Sequence, residues 1–323
     1  MTENRDPAIV SERSVSRIPP RRFVTLAGLR RECPTALLRC LAGIVWIAVG
    51  SFGGYRLLSA SAADEAAEEP APESKSDKQR RESMLLAMRR QLQPVSVAKV
   101  VDGKRQMPEE LRSEPVFRYS DPPRGFVDAT LWCWGATGRP VALQKVEAAL
   151  TRDKKPFWQF CLTSLDDHPI DVNFGNGHRF VSKKPGLELK NLLPAPMPDD
   201  KPAGRLRQMK EQIARFAATI HVDGKEDLKQ EMRLLPREVY RYADEGGGLQ
   251  DGAIFGLTTN GTNPDVLIVI ELRAEGNAGA WQYGVVKMTD SDVHVRLDDA
   301  EVWSSRFAVP FETWFYFDTP RQD

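Results

Sequence analysis

Five polar residues recur in the same order at two places in the chain. Arg118, Tyr119, Asp121, Asp128 and Glu147 make the first set; Arg241, Tyr242, Asp244, Asp251 and Glu271 make the second. Carboxylates near an arginine and a tyrosine can perform general acid–base chemistry if they converge in a cleft. The spacing offers the same groups a second use. Arg118 precedes Asp128, and Arg241 precedes Asp251, by one short loop, and a planar guanidinium can fork onto a carboxylate to lock such a loop. Asp121 and Asp244 stand where an aspartate bonds its own turn backbone. Both halves of a duplicated chain need the same turns closed, so bracing accounts for the shared residues better than a reaction performed twice. Asp128, Asp251, Glu147 and Glu271 stay as catalytic candidates should they share one pocket.

Residues that differ between the two places point to specialisation. Trp132 and Trp134 alternate around Cys133 and so share one face of a strand, where the second copy has Phe255 and Leu257. Exposed, the pair would stack on a sugar or grip a partner; buried, it is core. Trp158 and Trp281 read as equivalent core positions. Cys133 and Cys161 both meet glycine in the second copy, Gly256 and Gly284, and this joint loss suggests contact. A disulfide would follow in an oxidising compartment. Against it, strands flanking a third place their Cα atoms about 9.6 Å apart, too far to bridge. Cys133, Cys161, His168 and His178 match no zinc spacing, so no metal and no cofactor is expected. His221 and His294 read as ordinary strand histidines. The chain has no G-x-S-x-G, H-E-x-x-H, phosphate loop or dinucleotide fingerprint. Asn260-Gly261-Thr262 fits a glycosylation sequon and, better, a hairpin turn.

These residues must be positioned by two copies of one unit. VFRYSDPPRGFVD from Val116 returns as VYRYADEGGGLQD from Val239, and FWQF at Phe157 returns as AWQY at Ala280. Upstream, Val101 to Lys104 falls on Val222 to Lys225, and Leu85, Met88 and Leu92 fall on Leu206, Met209 and Ile213. An ordered series of this kind indicates internal repetition. Each unit reads as a helix followed by strands. Leu206, Met209, Ile213, Phe216 and Ile220 form a helical stripe, and Pro94 ends the helix of the first copy. Asp102-Gly103 and Asp223-Gly224 mark tight hairpins. Four strands are expected in the second copy, at Ala253 to Thr259, Val266 to Arg273, Trp281 to Met288 and Val293 to Leu297. Turns fall at Gly261 to Pro264 and Glu275 to Gly279. Val266 to Ile270 is apolar without alternation, which predicts a strand covered on both faces. The expected fold is α+β: two tandem repeats, each one helix plus an antiparallel sheet, related by a pseudo-twofold. The aromatic tail Phe311 to Thr319 is expected to close the last sheet.

Ahead of the repeats the composition changes. Residues 1–62 carry nine arginines and four acids, whereas the remainder carries 36 basic and 41 acidic residues. Cys40 to Tyr55 is uncharged between Arg39 and Arg56, just long enough with its flanks to span a bilayer. The arginines before it and acids after it put the N-terminus inside and the repeats outside. The organisation expected is a basic cytoplasmic tail (1–39), a membrane anchor or signal core (40–62), an acidic Ala/Pro linker (63–78), repeat 1 (79–182), a Pro-rich connector (183–202), and repeat 2 with the tail (203–323). Ala60-Ser61-Ala62 would serve as a cleavage site, so single-pass anchoring and export after cleavage both stand.

YRYADEGGGLQDGAIF, GTNPDVLIVIELRAEG and VHVRLDDAEVW resemble uncharacterised exported proteins of planctomycete bacteria. The resemblance implies export and carries no activity. The expected partners are the membrane through residues 40–62 and an unknown protein or carbohydrate. No basic stripe with aromatics suggests nucleic acid. The leading functional expectation is a membrane-tethered extracytoplasmic binding or scaffolding module. A hydrolase or carbohydrate-acting enzyme with a cleft between the repeats, and an apolar-ligand carrier, are the alternatives.

Overall fold

The computed structural model describes residues 74–321, except 152, 176, 222–227, 276–277 and 307–311. The basic tail, the apolar segment at 40–62 and residues 63–73 of the expected linker therefore lie outside the described residues. Among the described residues no helix is long and apolar enough to cross a membrane.

The first half runs α1 (Lys75–Leu92), β1 (Ser96–Val101), β2 (Lys104–Arg105), β3 (Phe117–Asp121), β4 (Phe126–Trp134), β5 (Ala142–Leu150), β6 (Pro156–Ser164), β7 (Ile170–Asn173) and β8 (Arg179–Val181). A short strand β9 (Lys190–Asn191) follows in the connector. The second half has α2 (Pro202–Ile213), β10 (Phe216–His221), β11 (Lys229–Glu231), β12 (Arg233–Leu234), β13 (Tyr240–Asp244) and β14 (Leu249–Thr258). It continues with β15 (Val266–Glu275), β16 (Ala278–Lys287), β17 (Asp292–Leu297), β18 (Ala300–Ser305) and β19 (Trp314–Pro320). The class is α+β, with antiparallel pairing throughout the described ladders.

Local chemistry explains the ends of these elements. Ser74 caps α1 by accepting from the Asp77 amide at 3.1 Å, so the helix begins inside the stretch expected to be linker. Pro94 follows its last turn. Pro202 occupies the first turn of α2, where its missing N–H costs nothing. The helical stripe expected to continue to Ile220 stops at Ile213. Phe216 and Ile220 belong instead to β10, which pairs with β17 from Phe216↔Leu297 to His221↔Asp292. Thr219 and Ile220 are β-branched, and a half-buried ladder suits them better than a further helical turn. Asp102 and Gly103 both have positive φ, 49° and 72°, and close the β1–β2 hairpin.

Two central sheets carry most of the structure, ordered β19-β6-β5-β4-β3 and β12-β14-β15-β16-β9, with β13 pairing β14. Leu131, Leu143, Ile254, Leu267 and Val269 fill the space between them. On the outer face of the first sheet, α1 and a small sheet (β2-β1-β7-β8) bury Met88, Leu92, Val97 and Val172 against Trp132, Val146 and Phe160. On the second, α2 and the small sheet β11-β10-β17-β18 bury Met209, Ile213, Ala218 and Val295 against Phe255, Ile268 and Ile270. The unalternating run in β15 thus faces core on both sides, as its composition predicts.

The tail does not close the last sheet. β19 pairs with β6 of the first half, from Trp314↔Thr163 to Pro320↔Phe157. Reciprocally, β9 leaves the first half and pairs with β16 of the second, Gln282↔Asn191 and Tyr283↔Lys190. An exposed edge strand is a template for unwanted pairing, and each half covers such an edge on the other. Phe317 stacks on Phe160 at 4.7 Å and meets Phe174 at 4.8 Å. Phe317→Ala should cost about 3 kcal/mol or more, within the usual range for a buried phenylalanine, read as a lower urea midpoint with unchanged slope. Loss of less than about 1 kcal/mol would mean that the tail is not part of the cooperative unit.

Candidate functional site

The twice-occurring residues sit on the β3–β4 and β13–β14 hairpins and on the strands beside them. A register shift lies between Phe126 and Asp128 on β4, and another at the matching place on β14, between Leu249 and Asp251. Such bulges re-aim a side chain, and here each aspartate meets the arginine of its own hairpin. Arg118 forks onto Asp128, with Nε to Oδ1 at 2.8 Å and Nη2 to Oδ2. Arg241 forks onto Asp251 at 2.9 and 2.7 Å. Each guanidinium also donates to its helix: Arg118 to the Arg81 carbonyl at 3.0 Å, and Arg241 to the Pro202 carbonyl at 2.6 Å. One side chain thereby ties two strands and a helix.

Asp244 closes its own turn by accepting from the Gly247 amide at 3.2 Å, as its position predicts. Asp121 does not. It is buried and pairs with Arg124, whose Nη1 also reaches Asp265 of the other half at 2.6 Å. Burial pushes the Asp121 carboxyl up, against the pull of Arg124.

Glu147 and Glu271 lie between the central sheets in different company. Glu147 accepts from Tyr119 Oη at 2.8 Å, Gln159 Nε2 at 3.1 Å and Asn263 Nδ2 at 3.2 Å. Burial raises its carboxyl above the ordinary range, with nearby Lys145 opposing. Glu271 accepts from Tyr242 Oη at 2.9 Å and Arg273 at 2.9 Å, with Arg139 at 3.4 Å. Tyr119 and Tyr242 are both driven well above their usual range by burial, then by the adjoining glutamate. Asn263 precedes Pro264 as Arg139 precedes Pro140, so equivalent turns reach across to the glutamate of the opposite half. The four acids do not share a pocket: the aspartates brace hairpins, and the glutamates are sealed in the core.

The tryptophan pair is core and not a binding face. Trp132 and Trp134 are buried, with Nε1 donating to Thr130 Oγ1 at 2.8 Å and to Gln144 Oε1 at 2.9 Å. Trp158 and Trp281 are likewise buried, the latter bonded to the Pro196 carbonyl. No disulfide joins Cys133 and Cys161. Both are free, buried thiols on β4 and β6, either side of β5, the separation that argued against the bond. Burial raises both, Cys161 to about 12. His178 stacks on Phe317 and His221 lies against His294. Among the described residues the cluster able to present three ligand atoms together is Asp166, Asp167 and His168, not the cysteine–histidine set.

A groove of about 560 Å³ lies beside the first fork, lined by Arg80, Arg81, Met84, Val127, Asp128 and Thr262. The second half differs at the matching position. There Arg205 of α2 donates to Asp251 Oδ2 at 2.9 Å, where α1 has Met84. The consequence is visible in exposure: the Asp251 side chain is 4% exposed and that of Asp128 is 18%. Sequence reasoning missed this contrast, although Met84 against Arg205 is readable once the helices are aligned. Comparison of the chain with protein-family models, curated proteins and solved structures finds no match.

Two measurements follow from these environments. Asp251→Asn leaves two guanidinium groups without their carboxylate and should cost about 3 kcal/mol in denaturant unfolding, against about 1 kcal/mol for the more exposed Asp128→Asn. Equal losses would contradict the bracing assigned to Arg205. Lys287 is the other: burial lowers its ammonium to about 8, with Asp292 and Asp290 opposing, and its Nζ donates to the Ser291 and Arg306 carbonyls. Above about pH 8 the folded state has released a proton that the unfolded chain keeps to about pH 10, so stability rises with pH in that window. Wild type should gain about 2 kcal/mol relative to Lys287→Met between about pH 7.5 and 9.5. A flat difference would mean that this amine does not titrate there.

Proposed function

We propose that this chain is a binding or scaffolding module tethered to the outer face of the cytoplasmic membrane through residues 40–62. Its body consists of two copies of one helix-and-sheet unit about a pseudo-twofold. The observation that carries the functional reading is the use of the shared acids. Asp128 and Asp251 are held by the arginine of their own hairpin, and Glu147 and Glu271 by the tyrosine of their own half. Side chains so engaged make a frame rigid, and rigidity is what a scaffold requires of them.

The two-copy organisation is supported by matched contacts: the forks, their bonds to the helices, and the pairings Leu111↔Trp134 and Leu234↔Leu257. The mutual exchange of β9 and β19 belongs to the same set. The groove beside Met84 is the binding surface in this reading, because the first half leaves open what the second closes with Arg205. A rim carrying Arg80 and Arg81 with apolar Met84 and Val127 suits an acidic segment of a protein or carbohydrate partner.

The address and the surface are tested together in cells. Protease added to spheroplasts should remove the body, and mass spectrometry should find the mature N-terminus at Met1 or just after Ala62. A body protected from protease overturns the address. A photo-crosslinker placed at Val127 should form a discrete adduct in wild type and none in Met84→Arg, which fills the groove with a second guanidinium. Equal labelling of both, or no adduct in either, overturns the assignment of the surface.

A further inference from the structure

Lys145 lies on β5 between the central sheets, 2% exposed. Its Nζ donates to Asn263 Oδ1 at 2.7 Å and to the Met288 carbonyl at 3.0 Å. Asn263 belongs to the other half of the chain, in the turn from β14 to β15, and is itself buried. Its Nδ2 donates in turn to Glu147 Oε1 at 3.2 Å. Glu147 follows Lys145 by two residues and so shares its face of the strand. Amine, carboxamide and carboxyl form one hydrogen-bonded run of buried groups.

We propose that Lys145 and Asn263 condense into an intramolecular isopeptide bond, with Glu147 as the catalytic acid–base group, joining the two halves covalently.

Each requirement of that reaction has a residue in place. The nucleophile must be a neutral amine. In the proposed reaction one proton passes from Nζ to Glu147, two residues along the same strand face, before attack. The raised carboxyl of Glu147 agrees with its holding that proton. The electrophile must be within reach. Cγ of Asn263 lies one carbonyl bond, about 1.2 Å, behind the oxygen that Nζ already contacts, and burial holds the two groups together without the entropy cost of an encounter. The leaving nitrogen must be protonated, and Nδ2 is the atom that touches Glu147.

The steps balance. Nζ bonds to Cγ as the carbonyl π pair moves onto Oδ1. The pair then returns, the Cγ–Nδ2 bond breaks, and Nδ2 departs as ammonia with the proton from Glu147. The carboxylate recovers a proton from Nζ. The products are a secondary amide and one ammonia, with Glu147 regenerated and no co-reactant consumed.

The second half contains its own control. Its glutamate, Glu271, is reached across the interface by Arg139 where Glu147 is reached by Asn263, and Val269 stands in the place of Lys145. An arginine and a valine supply neither carboxamide nor amine, so the bond is confined to one side of the interface.

The test is a tryptic digest of the denatured full chain read by tandem mass spectrometry. The peptide bearing Lys145 should be uncleaved after that lysine and joined to the peptide bearing Asn263, at their summed mass less one ammonia. Recovery of both as separate linear peptides, with cleavage after Lys145, overturns the proposal. Glu147→Gln preserves volume and removes the transferable proton, so the rate of linkage after refolding should fall about 100-fold or more. Linkage at the wild-type rate would remove Glu147 from the chemistry. The wild-type digest needs no variant, so the bond stands or falls even where Glu147→Gln does not fold.

Discussion

Ionisable groups sealed between two sheets must find partners there, because water cannot supply them, and this requirement ties the halves of the protein together. Glu147, Asp265 and Glu271 are each at or below 1% exposure, and each receives a donor from the opposite half: Asn263, Arg124 and Arg139. An unpaired carboxylate in such a place costs several kcal/mol. Neither central sheet can therefore separate from the other without stranding charges on both sides. The apolar packing between them supplies driving force without direction. The polar crossings make one register of the two sheets far better than its neighbours.

The reciprocal strands extend this dependence to the sheet edges. β9 and β19 each leave one half to pair with the other, so each half is complete only when the other has formed. Outside the interface the Arg–Asp forks act locally, binding a bulged hairpin to the helix that packs over it. Arginine thus works at two scales: Arg118 and Arg241 brace a hairpin inside one half, while Arg124 and Arg139 reach an acid of the other.

The two halves differ at the groove and between the central sheets. Arg205 closes the groove of the second half, while Met84 leaves the first open. Lys145 and Asn263 put an amine against a carboxamide on one side, while Val269 and Arg139 put none on the other.

Much of this was legible in the amino-acid order. The strands expected in the second half fall within a few residues of β14 to β17, the unalternating run marks β15 as doubly covered, and the Arg-to-Asp spacing anticipates both forks. Their equivalent places in FWQF and AWQY mark Trp158 and Trp281 as core, and both are buried. Other features were invisible, for reasons that are physical. The stripe from Leu206 to Ile220 fits a helix by spacing, yet β10 forms because β17 offers it a ladder, and that partner is some eighty residues away. The tail was assigned to the nearer sheet because the edge it covers, β6, is set by how the halves face one another. The position of Asp121 fits a turn residue, but Arg124 and Asp265 converge on its site only in three dimensions. The sequence by itself determined the α+β class, most of the strands and the local Arg–Asp braces, because those depend on residues a few positions apart. Only the tertiary structure decided which acids are buried and what meets them across the interface, because desolvation and contact between distant segments exist only after the sheets have closed.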